Sequence, residues 1–77
     1  MSLVVQQAAN NLTREDLIAY VHRSLKTARE FRKWAGVSPQ AVHKWRTTPD
    51  FAHTMTERAR AWWVWERERE LRSIFEG

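Results

Sequence analysis

The sequence predicts an all-α protein with three short helices followed by one long C-terminal helix. Apolar residues recur at helical spacing through most of the chain after residue 12, and no stretch alternates with the period of a strand. Helix start and stop signals separate these periodic stretches. The 77 residues fit one small domain, and without cysteine the five tryptophans are expected to supply much of its core.

The first helix is predicted over residues 13–25. Thr13 is a good N-cap, acidic residues fill the first turn, and Leu12 and Leu17 have the spacing of a hydrophobic staple. Residues 1–11 show no clear period, so they are predicted to form a flexible arm with at most one helical turn.

Two short helices follow. Thr27 and Glu30 have the spacing of a capping box, which places the start of the second helix at residue 27, and Gly36 is the expected left-handed C-cap. Ser38 is a candidate N-cap with proline at the first helical position, so the third helix is expected to run from there to about Arg46.

The fourth helix is predicted to begin near Pro49, with Thr47 or Thr48 as its cap, and to continue to about residue 75. At about 100° per residue, its first half carries an apolar stripe suited to the domain core: Phe51, Met55, Ala59 and Trp62. Its second half carries apolar residues on roughly the opposite side: Val64, Leu71, Ile74 and Phe75. One straight helix on one small domain cannot bury both sets.

Three interpretations of the second set stay open. The second half of the helix packs against a second copy of the chain, bends near Trp65 to fold onto the first helix, or docks another protein or a membrane surface. We favour a homodimer with Val64, Leu71, Ile74 and Phe75 at the interface. The predicted organisation is therefore an arm (1–11), a DNA-binding domain (12–62) and an oligomerisation helix (63–77).

The charge balance favours an anionic partner. The net charge is +4 with a pI near 10.4, and ten of the thirteen cations are arginine, which suits phosphate and guanine recognition. No segment has the length of a membrane span or the pattern of a signal peptide, so cytoplasm is the default location. The first three and last two residues fit vector remnants as well as natural termini.

Catalysis is not expected. There is no glycine-rich phosphate loop and no nucleophile with a plausible base beside it. His22, His43 and His53 do not have metal-ligand spacing. We therefore predict no metal, no cofactor and no small-molecule substrate.

Residues 27–46, TAREFRKWAGVSPQAVHKWR, resemble a helix-turn-helix DNA-binding motif. Gly36 permits the tight reversal between the helices, and the apolar Val37 follows it to fill the angle between them. Arg32 departs from the family pattern, which commonly has a small residue there. The resemblance implies a compact helix-turn-helix domain that binds double-stranded DNA through the third helix.

The third helix divides into an apolar face and a polar face without carboxylates. Because the N-terminal residues of a recognition helix usually meet the bases, the expected base-reading residues are Ser38, Gln40, His43, Lys44 and Thr47. The expected phosphate contacts surround this face: Lys26, Arg29, Lys33 and Arg46.

The sequence VHKWR followed by TPDF looks like phage-type helix-turn-helix proteins, including the N-terminal domains of small terminase subunits. The chain lacks the long C-terminal extension that small terminases use for assembly. We therefore expect a phage- or plasmid-derived transcription regulator, with a protein–protein or DNA-packaging adaptor as the alternative.

Overall fold

A computed structural model describes residues 3–49 and 53–76, and these residues form an all-helical fold without strands. The helices are α1 (Leu3–Asn10), α2 (Arg14–Val21), α3 (Leu25–Ala35), α4 (Pro39–Thr47) and α5 (His53–Glu76). The long α5 contacts each of the other four helices. The predicted fold class is therefore confirmed at the level of an all-α protein.

The N-terminal segment is a helix and not the predicted flexible arm. Val5 and Ala9 of α1 are buried against Val64 of α5, which forms a second small core beside the main one. Arg60 of α5 donates to the backbone carbonyls of Ala9 and Leu12. These contacts join α5 to the last turn of α1 and to the residue that precedes α2.

The start of α2 confirms the predicted cap, but its end does not follow the prediction. Thr13 caps the helix, its hydroxyl accepting from the Asp16 amide in a capping box. The helix ends at Val21, four residues before the predicted boundary, because a second capping box formed by Ser24 and Thr27 begins α3. The predicted box between Thr27 and Glu30 is therefore wrong: Thr27 is the third residue of α3.

The turn between α3 and α4 forms as predicted. Gly36 adopts the left-handed conformation with φ of 67° and donates its amide to Arg32. Val37 packs against the main core, and the Ser38 hydroxyl accepts from the Ala41 amide at the start of α4. Thr48 is the C-cap of α4.

The main core is an aromatic cluster between α2, α3, α4 and α5. Its largest fully buried side chains are Trp45, Trp62, Phe31, Leu17 and Val21. The ring centroid of Phe31 lies 6.2 Å from Trp45 and 5.3 Å from Trp62, within the range of favourable ring contacts. The prediction that Trp62 closes the domain core is confirmed.

The helix α5 runs unbroken from His53 to Glu76, so its second half does not fold back onto α2. Residues 50–52, which precede α5, lie outside the described residues. The predicted helix start near Pro49 and the predicted core role of Phe51 are therefore not tested. Val64 is buried against α1, and its prediction as an oligomer contact is wrong because α1 covers that face. Leu71, Ile74 and Phe75 remain exposed.

Candidate nucleic-acid interface

The positive charge of the chain is concentrated in α3, the turn and α4. Residues 25–48 contain six Lys or Arg and one acid, whereas the rest of the chain contains seven cations and eight acids. The excess positive charge of the chain therefore lies in this segment.

The helix α4 has one buried and one exposed face. Val42 and Trp45 are buried, and the Trp45 indole N–H donates to the Thr56 hydroxyl of α5 over 2.9 Å inside the core. The predicted base-reading residues share the exposed side of α4 or its first turn: Ser38, Gln40, His43, Lys44 and Thr47. The core contacts of Trp45 thus fix which side of α4 faces outward.

The hydroxyls of Ser38 and Thr47 already have partners within the chain. Ser38 uses its oxygen as the N-cap acceptor, and Thr47 donates to the carbonyl of His43 over 2.9 Å. Their capacity to bind a base edge is correspondingly reduced, although the Thr47 methyl group can still contact a thymine methyl. Gln40, His43 and Lys44 are exposed on the same helix.

The predicted phosphate contacts Lys26, Arg29, Lys33 and Arg46 are all exposed. Arg32, the departure from the helix-turn-helix pattern, is half-buried. Its long aliphatic stem can follow an apolar surface while its charged end reaches water, so this position accommodates a residue larger than the family usually has.

Two of the arginines that add to the net charge, Arg14 and Arg60, bind backbone carbonyls within the fold. Arg14 of α2 donates to the carbonyls of Trp45 and Thr48, the latter over 3.1 Å, and so stabilises the C-terminal end of α4. Arg60 of α5 donates to the carbonyls of Ala9 in α1 and Leu12 in the connection to α2. Sequence pattern could not identify them, because the carbonyls they contact lie more than 30 residues away.

A polar cluster on the other side of the core was also missed. The Tyr20 hydroxyl donates to the buried Glu66 carboxylate over 2.6 Å, and the Arg23 guanidinium lies 3.9 Å from the Tyr20 ring centroid. Burial raises the pKa of Tyr20, and the hydrogen bond and charge of Glu66 raise it further, while Arg23 and Arg67 act in the opposite direction. Glu66, the first acid of the alternating Glu-Arg stretch in α5, is therefore a partner for α2.

A groove of about 490 Å³ lies between α3 and the second half of α5. Trp34 and Trp65 are 41% and 42% exposed on it, with ring centroids 6.2 Å apart. Glu30 and Lys33 line one side, and Arg69 lies 4.6 Å from the centroid of the Trp65 ring on the other. The two rings already touch each other, so a flat ligand cannot enter between them.

Within residues 3–49 and 53–76, no three His, Asp or Glu side chains are grouped as metal ligands would be. None of the helices in that part of the chain combines the length and apolar character needed to cross a membrane. No protein-family model, curated protein or solved structure matches the chain.

Proposed function

We propose that this protein is a sequence-specific double-stranded DNA-binding protein that reads base edges through α4. One observation carries the proposal. The acid-free exposed side of α4 belongs to the segment of residues 25–48, which holds six of the thirteen cations but one of the nine acids. Occupancy of a DNA site, as in transcription regulation, is the corresponding function, and the resemblance to phage-type helix-turn-helix proteins supports a phage or plasmid origin.

The chemistry of three exposed side chains supports base reading. Gln40 can bind the N6 and N7 edge of adenine, and Lys44 can donate to O6 and N7 of guanine. His43 can donate to a base or a phosphate. These groups lie in the first two turns of α4, which is the part of a recognition helix that usually meets the major groove.

The surrounding cations support a phosphate-contacting role without base preference. Lys26, Arg29, Lys33 and Arg46 are exposed, and the single acid among residues 25–48 is Glu30. If all four contact phosphates, the logarithm of the affinity should fall with the logarithm of salt concentration with a slope of about −3.6, from about −0.9 per phosphate neutralised.

The second candidate function is a protein–protein or assembly module, such as a DNA-packaging adaptor. The half-exposed Trp34 and Trp65 favour it, because aromatic side chains are enriched at protein interfaces. This candidate predicts little dependence of duplex binding on residues of α4.

The first experiment measures the binding of randomised and selected DNA duplexes at several salt concentrations. We expect a slope near the value above and enrichment of a preferred sequence during selection. If no duplex binds at low salt, the DNA-binding proposal is wrong and the assembly module becomes the better interpretation.

The second experiment separates base reading from charge. Gln40→Ala and Lys44→Ala should each lower affinity for the selected site by about 5- to 100-fold and relax the preference at one base pair, whereas Arg29→Ala should weaken all duplexes alike. Arg72→Ala is the matched control, because it removes an exposed cation from the far end of α5. Equal losses for Arg72→Ala and Lys44→Ala would contradict a specific role of α4.

A further inference from the structure

Arg14, the first residue of α2, joins that helix to the C-terminal end of α4. Its Nη2 donates to the carbonyls of Trp45 and Thr48, the latter over 3.1 Å. Trp45 belongs to the last turn of α4, and Thr48 is its C-cap. One guanidinium therefore binds both the last turn and the cap of the helix that carries the candidate base-reading residues.

The donors of Arg14 are directed into the protein. The side chain is 20% exposed, Nη1 lies 3.3 Å from the Glu15 carboxylate, and Nε is shielded from solvent. The guanidinium consequently has little capacity left for a phosphate oxygen. An effect of Arg14 on DNA therefore has to pass mainly through α4.

The other anchors of α4 hold its start and its middle. The turn at Gly36 fixes the N-terminal end. Val42 and Trp45 are buried, and the Trp45 indole donates to the Thr56 hydroxyl of α5. Arg14 adds a contact at the C-terminal end, so α4 is held along its whole length.

We propose that Arg14 is a positioning residue for base reading. By holding the C-terminal end of α4, it sets the angle at which the exposed side of that helix meets the major groove. This inference rests on the proposed function, because it concerns how the same helix reads DNA.

The dimensions of α4 show why this angle matters. Lys44 lies five residues after Pro39, which is about 7.5 Å along the helix axis. A tilt of roughly 10° about the N-terminal turn moves Lys44 by about 1.3 Å, whereas N–H···O distances span a range of only about 0.5 Å. Attraction to phosphate charge varies more slowly with distance. Loss of the anchor should therefore reduce base preference more than affinity for duplexes in general.

Two substitutions at Arg14 test this role. Arg14→Met keeps an unbranched side chain but removes the charge and the donors, whereas Arg14→Lys keeps the charge and a donor. The measurement is the ratio of affinities for the selected duplex and for a shuffled duplex of the same composition at one salt concentration. Arg14→Met should lower the ratio by about tenfold, as expected for the loss of one good base contact, and Arg14→Lys should recover part of it. Partial unfolding lowers both apparent affinities by the same factor, so it cancels in the ratio.

Arg23→Met is the matched control. Arg23 donates to the Tyr20 carbonyl over 2.9 Å and lies 3.8 Å from the Glu66 carboxylate, and neither contact involves α4. The control removes the same charge and also removes contacts within the fold, but it should leave the affinity ratio unchanged. Equal losses of the ratio in Arg23→Met and Arg14→Met would overturn the proposal.

Hydrogen exchange of the free protein tests the anchor without DNA. The Thr48 amide donates to the Lys44 carbonyl over 2.9 Å, so its exchange reports on the last turn of α4. Arg14→Met should accelerate this exchange by about 5- to 30-fold, and by more than it accelerates the amides around Trp62 in α5. An unchanged rate at Thr48, or an equal acceleration at both places, would contradict the anchoring role.

Failure of the positioning role can be distinguished from failure of the proposed function. A wild-type chain that prefers the selected duplex, with a ratio that survives Arg14→Met, overturns the positioning role alone. A uniform loss of both affinities that Arg14→Lys restores also overturns it, because Arg14 would then act as a phosphate contact. A wild-type chain that binds no duplex overturns the proposed function and base positioning with it, while hydrogen exchange still decides whether Arg14 anchors α4.

Discussion

The buried hydrogen bond between Trp45 and Thr56 gives a sharp test of how α4 is held. The indole N–H of Trp45 donates to the Thr56 hydroxyl over 2.9 Å, and both residues are buried. Thr56→Val keeps nearly the same shape and removes the acceptor. The indole N–H is then left buried without a partner, and the similar volume of valine creates no cavity.

The expected loss follows from the cost of burying an unpaired donor. Such a group costs about 1–3 kcal/mol, and the added methyl group of valine returns up to about 0.8 kcal/mol through apolar burial. We therefore expect the free energy of unfolding to fall by about 1–2 kcal/mol. A small domain of this length loses about 4–8 °C of Tm for each kcal/mol, so Tm should fall by roughly 5–15 °C.

Urea unfolding followed by far-UV circular dichroism measures this change without depending on tryptophan fluorescence, which the substitution itself would alter. Thr54→Val is the matched control, because Thr54 is exposed two residues earlier on the same helix. We expect the control to change stability by less than about 0.5 kcal/mol. Equal losses for Thr56→Val and Thr54→Val would refute the role given to the buried bond.

Three further changes have definite expected outcomes. Gly36→Ala should destabilise by about 1 kcal/mol in urea unfolding, because its φ of 67° is unfavourable for alanine although an added Cβ would meet no atom within 4 Å. Val64→Ala should cost about 2 kcal/mol in urea unfolding, because α1 buries this side chain; unchanged stability would contradict that placement. Tyr20, the one tyrosine, has a pKa raised by burial and by Glu66, so its contribution to stability is complete below pH 10 and is lost as pH rises through the folded-state pKa. Tyrosinate absorbance should therefore titrate above the value of the unfolded chain, and in Tyr20→Phe the additional alkaline loss of stability should disappear.

Local backbone chemistry explains why the turn and most caps could be predicted. Thr13, Gly36 and Ser38 act within three or four residues of their own positions, so their effects are visible in sequence. The boundary at Ser24 was missed because Thr27 is also a good cap residue, and its role as the third residue of α3 depends on its hydrogen bonds with Ser24.

Tertiary contacts explain what could not be predicted. The residues of α1, LVVQQAAN, contain no charged residue and no cap signal strong enough to mark a helix, and the helix is held by Val5 and Ala9 against Val64. Because α1 was not predicted, Val64 was expected at a homodimer interface. The exposed side of α4 could be predicted because Val42 and Trp45 mark its opposite side, whereas the internal roles of Arg14 and Glu66 depend on contacts distant in sequence.

The position of α5 as the common partner of all other helices affects how the chain is made. The helices α1 to α4 leave the ribosome first, but the surface on which they pack is in the last third of the chain. At roughly 5–20 residues per second, the 24 residues of α5 require about 1–5 s of synthesis. During that interval Phe31 and Trp45 lack Met55, Ala59 and Trp62 of α5, so the aromatic core is left without one of its sides.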